Sequence, residues 1–164
     1  MKNSYTDSKR PQGRNQFGDS GGRYSDVPPL VVQTDLEQII LFGNAEKMVA
    51  SAMKVGKAGV DKPKEKRLST SQIRAIFGEV RMLEGQMSIP DQKEKAFHRL
   101  YLLKPKLAYR ARKEKSEGVD DLVKVLDPAI DLVFKEEAKR EERFAHFIEF
   151  FEAILAYHKA FGGN

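Results

Sequence analysis

Arginine and lysine recur in this 164-residue chain at spacings that set them in rows along helices, and rows of such cations hold phosphate. Thr70, Arg74, Gly78, Arg81 and Gly85 fall on one line of a helix, about a quarter-turn from the apolar residues of the same segment. Arginine is a forked donor to phosphate oxygens, and the glycines leave no bulk between the two, so a phosphate backbone can approach closely. The other use for Gly78 and Gly85 is close packing against another helix of the same molecule. At the start of this row Ser69-Thr70-Ser71-Gln72 has the form of a capping box, in which the Ser69 hydroxyl accepts from the Gln72 amide and Gln72 reaches back. A capped helix start also offers amide donors and a favourable dipole to an anion, here beside Lys66 and Arg67. A second row, Lys106, Arg110 and Lys113, recurs at i, i+4 and i+7, with Lys104 and Arg112 nearby. Contacts of this kind reach phosphate and sugar and are indifferent to base sequence. The two rows belong to different helices, and a single trough for one ribose-phosphate chain requires them to lie side by side.

Other chemistry is sparse. With no cysteine, thiolate nucleophiles, disulfides, zinc ribbons and iron–sulfur clusters are excluded. His98, His146 and His158 match no zinc or metalloprotease spacing, and each is expected to be structural or at the surface. Asp120, Asp121, Asp127 and Asp131 have helical spacing but read as a solvated acidic face, because no phosphate cradle lies near them. There is no P-loop, no GxGxxG and no nucleophile elbow; the serine in Gly18-Asp19-Ser20-Gly21-Gly22 has no strand before it. The chain is therefore expected to be no enzyme, with no cofactor and no metal.

The elements that must position the basic rows are helices. Length bounds the chain to one domain, and 40% hydrophobic with 32% charged residues is the mix of a soluble globular protein. Residues 1–29 are poor in apolar side chains and rich in Ser, Gly, Asn, Asp and Arg, so they read as a disordered polar tail ahead of a helical domain over 30–164. A first helix is expected from Thr34, as its cap, to about Val55, with Gly43-Asn44 able to break it, and 56–67 as a polar connector. Ile73, Ile76, Phe77, Val80, Leu83 and Met87 form the stripe of the clearest helix, which ends before Pro90. A further helix opens near Asp91, with Tyr101 available to the core, and breaks or kinks at Pro105; Asp127-Pro128 disturbs the next stripe. A last helix, about Lys139 to Phe161, turns Phe144, Phe147 and Phe151 inward and leaves Phe150 exposed. No segment alternates at period two, so the fold class is all-α, a compact bundle of five or six helices.

Charge is unevenly spread along these helices. Lys54–Arg74 carries seven basic against two acidic residues and Asp91–Lys115 nine against three, whereas Ser116–Ala153 reverses to five against eleven. A basic middle can meet a polyanion while the acidic part stays solvated. The amino terminus has no apolar signal region and no apolar run approaches membrane-spanning length, so a cytoplasmic protein is expected.

Two stretches resemble the small helical subunit of type III-A CRISPR–Cas (Csm) complexes. Leu68-Ser69-Thr70-Ser71-Gln72-Ile73-Arg74 is similar to that family's Leu-Thr-Thr-Ser-Gln-Ile-Arg, with Ser69 in place of the usual Thr. Leu103-Lys104-Pro105-Lys106-Leu107-Ala108-Tyr109-Arg110-Ala111-Arg112 is similar to its Lys-Pro-x-Leu-Ala-Tyr segment ending in Arg. The resemblance implies a non-catalytic bundle present in several copies along the guide–target duplex. Its partners would be CRISPR RNA, target RNA, the backbone subunits, the large signalling subunit and further copies of itself. It also implies Ser69, Thr70, Arg74, Lys104, Lys106, Arg110 and Arg112 as backbone contacts, to which the geometry of the rows adds Arg67, Arg81 and Lys113. A protein–protein adaptor that docks a partner through the aromatic last helix is the alternative reading.

Overall fold

Three of the described helices start at a short polar side chain. The Asn44 side chain accepts from the Lys47 amide at 3.0 Å, the Ser69 hydroxyl from Gln72 at 3.1 Å and the Ser116 hydroxyl from Val119 at 3.3 Å. The computed structural model describes residues 27–164, so the tail expected over 1–29 lies, as far as residue 26, outside the described residues. Among these it contains α1 (Gln33–Phe42), α2 (Ala45–Val60), α3 (Thr70–Met87), α4 (Lys93–Glu114), α5 (Glu117–Val133) and α6 (Arg140–Ala160), with no strand. Single 3₁₀ turns at Lys64–Lys66, Pro90–Gln92 and Glu137–Lys139 link them. This is the expected all-α bundle, with six helices.

Packing sets the order of the layers. α6 lies against α1, α2, α3 and α5, while α4 packs on α3 and α5. Ile39, Ile40, Ile73, Ile76, Val80, Leu100, Leu107, Phe147 and Phe151 meet in one core. The contact of α2 with α6 is close because Gly56 faces Tyr157: a Cβ there would stand 2.7 Å from the Tyr157 Cβ. That contact keeps Gly56 and Gly59 helical, and α2 runs on to Val60 where a connector was expected from residue 56.

Several other expectations are corrected. Thr34 does not cap α1; the helix begins at Gln33 after Val32, whose carbonyl accepts from Asp35 and Leu36. Gly43 breaks the first segment as foreseen, in left-handed backbone at φ 64°, where a Cβ would also meet His146 Nε2 at 2.6 Å. Pro105 and Pro128 end no helix. Pro105 sits on the outside of α4 with Leu103 and Leu107 buried on either side of it, and Leu126, Ala129 and Ile130 are buried around Pro128. Burial of flanking apolar residues holds the helix through the missing hydrogen bond. Tyr101 is half exposed, set edge-on to Phe134 at 5.1 Å. Phe150 is fully buried, because the helices packed around α6 leave the stripe of Glu141, Ala145, Glu149, Glu152 and Ala156 as its outer face, and Phe150 lies off it.

Candidate nucleic-acid interface

Each predicted contact residue can be placed. The Ser69 amide donates to Gln72 Oε1 at 2.7 Å and its hydroxyl accepts from Gln72, completing the capping box. Thr70 is held by the end of the chain: its amide donates to the Asn164 backbone oxygen at 2.7 Å and its hydroxyl to the Gly163 carbonyl at 3.0 Å. Leu68, buried just before, donates to the Gly59 carbonyl at 2.9 Å and accepts from His158 Nε2 at 2.7 Å. The first similar stretch is thus largely a clasp between the connector, α3 and the carboxy-terminal residues. Of the first-turn amides offered to an anion, that of Thr70 already donates to a backbone oxygen of the same chain and that of Gln72 to the Ser69 hydroxyl. Arg67 is exposed, with its Nε donating to the Lys62 carbonyl at 2.7 Å.

Arg74 is exposed and has no ion-pair partner among the described residues; Arg81 is exposed and pairs with Glu84 at 2.5 Å. Beside them Gly78 and Gly85 face open space, with nothing within 4 Å of a Cβ at either position. Close packing within the molecule therefore does not explain these glycines.

The second row divides. Arg110 reaches Glu79 of α3 at 3.2 Å and Glu114 at 3.7 Å, and Lys106 lies 3.6 Å from Glu79. Lys113 is exposed, its Nζ 5.8 Å from the centre of the Tyr109 ring. Lys104 turns instead to α5, 2.5 Å from Asp131 and 3.5 Å from Asp127. Burial works against its charge, but the hydrogen bond to Asp131 and the two carboxylates outweigh it, holding the ammonium above its ordinary range. Arg112, exposed and two positions after Arg110, projects to the other side of α4 from it.

The two rows do not lie side by side. α3 meets α4 through Glu79 and Gln86, the latter bonded to Arg99 at 2.9 Å, whereas Phe77 of α3 meets Phe151 of α6 at 5.1 Å. Five positions separate Arg74 from Glu79, about 140° around the helix, so the Arg74–Arg81 row runs along the α6 side of α3. Lys106, Arg110 and Lys113 run along its α4 side. The exposed strip of Ser71, Ala75 and Met82 separates them, so the arrangement is two cationic margins around a low ridge rather than one trough. Sequence reasoning did not single out Tyr109, which the structure sets beside the second row. It is 66% exposed between Lys106 and Lys113, and its position three after one lysine and four before the other was the available signal.

A family model described as Csm2 Type III-A matches residues 43–164. No curated protein and no solved structure matches the chain. The match takes in α2 to α6 and both similar stretches; α1 lies ahead of it but adds Leu36, Ile39 and Ile40 to the same core. With most of its length matched, this chain belongs to the Csm2 family and is a structural subunit of a type III-A Csm complex.

Proposed function

We propose that the chain holds RNA by its sugar-phosphate backbone, in several copies along the guide–target duplex, without a catalytic step and without base specificity. It would work in the cytoplasm in antiviral defence, beside the backbone and large signalling subunits. No helix among the described residues is long and apolar enough to cross a membrane. The observation that carries this reading is the open row on α3. Two glycines inside a helix cost roughly 1 kcal/mol each relative to alanine, and here no neighbour within the molecule fills the space they leave. Bare helix backbone between Arg74 and Arg81 suits the close approach of a phosphate chain. The adaptor reading has less surface to use, because Phe144, Phe147, Phe150 and Phe151 are all buried and only Tyr157 and Phe161 of that segment's aromatics reach the surface.

The test compares two double variants in binding to duplex RNA across a salt series. Arg74→Ala with Arg81→Ala should weaken binding and flatten the dependence of log K on log salt by about one unit for each lost phosphate contact. Gly78→Ala with Gly85→Ala should raise the thermal midpoint through better helix propensity and yet weaken binding by crowding the row. Glycine variants that are more stable and bind RNA unchanged would remove α3 from the interface.

A further inference from the structure

On the α4 side of the ridge lies a recess of about 390 Å³ formed by Glu79, Lys106, Tyr109, Arg110, Lys113 and Glu114. That volume falls in the range of about 300–1,000 Å³ common for sites that take a small organic group. Its walls differ in chemistry. Tyr109 presents a largely exposed ring, and the Lys106 side chain, 69% exposed, stands at the rim with Lys113. Two carboxylates, Glu79 and Glu114, also line it; Arg110 spans them, and Glu114 Oε2 is buried without a hydrogen-bond partner among the described residues. Carboxylates repel phosphate, so the interior is not another backbone contact. They do accept from the amino groups at the edges of cytosine, adenine and guanine. An aromatic face, a carboxylate acceptor and two flanking cations together match one nucleotide: base inside, phosphates on the rim.

We infer that this recess seats an unpaired RNA base stacked on Tyr109, with Lys106 and Lys113 holding the phosphates on either side and Arg110 positioning the two carboxylates. The inference rests on the RNA-binding reading above and adds to it a contact that a fully paired duplex cannot make. Stacking tolerates any base, so sequence selection stays weak.

The full chain is titrated by fluorescence anisotropy with a short oligocytidylate and with an abasic ribose-phosphate oligomer of the same length. Wild type should bind the base-bearing oligomer about tenfold more tightly, the worth of one stacked base. Tyr109→Ala should abolish that difference and Tyr109→Phe should keep it, while Arg74→Ala with Arg81→Ala lowers both affinities together. Equal affinity of wild type for the two oligomers overturns the recess and leaves the backbone reading standing, as does a difference that survives Tyr109→Ala. A Tyr109-dependent difference that ignores the arginine pair supports the recess and sinks the arginine row. Absence of binding to either oligomer overturns both.

Discussion

Lys104 and Arg74 stand one in each of the two similar stretches, but their surroundings assign them different work. Lys104 has Asp131 and Asp127 within 3.5 Å and the Tyr101 ring at 5.7 Å, and its side chain is only 20% exposed. Drawing it away toward RNA would leave two carboxylates facing each other, so it belongs to the seam between α4 and α5. Arg74 has no such ties among the described residues and can turn to phosphate at no cost in internal contacts. The raised ammonium of Lys104 gives a test with a definite sign. Its contribution to stability is complete below the ordinary lysine value of 10.5 and disappears as pH climbs through the higher folded value. Lys104→Met should therefore lower the urea midpoint at neutral pH and show a shallower loss between neutral and strongly alkaline solution than wild type. Parallel curves would dismiss the pairing. Ser69 and Thr70 were legible as a helix start. Thr70's bonds to Gly163 and Asn164 were not, since they join positions 93 and 94 residues apart with no local signature.

At the scale of elements, sequence reasoning succeeded where the signal is local and failed where packing decides. The capping box at Ser69, the stripe from Ile73 to Leu83 and the break at Gly43 are fixed by neighbouring residues, and the structure contains all three. The continuation of α2 past Gly56 and of α4 through Pro105 depends on what lies opposite, and no window of a few residues contains that. The same limit separated the two basic rows: each was readable on its own helix, while their relation follows from α3 meeting α4 through Glu79 and α6 through Phe77. Proline inside α4 has a measurable consequence. Pro105→Ala should restore a backbone hydrogen bond on an exposed face and stabilise the fold by about 1–2 kcal/mol, part of the usual proline penalty being offset by a freer unfolded chain. A denaturant midpoint at or below wild type would show that the ring itself is needed at that place.

For the molecule as a whole, α6 is the post on which the bundle is assembled, packed along α1, α2, α3 and α5, meeting the start of α4 through Arg140 and Phe144, and burying three phenylalanines completely. Phe150→Ala should accordingly cost about 3–5 kcal/mol, read by equilibrium denaturation, and lose RNA binding only in proportion to the unfolded fraction. A near-neutral result would mean that the helix is less enclosed than described. The carboxy-terminal residues that follow α6 fold back on the first turn of α3, one turn from Arg74. Anything attached there travels with that surface. An affinity handle fused after Asn164 would crowd the arginine row. A small dye in the same place becomes useful, because the arrival of a nucleic acid strand at Arg74 would change its emission without any label on the RNA.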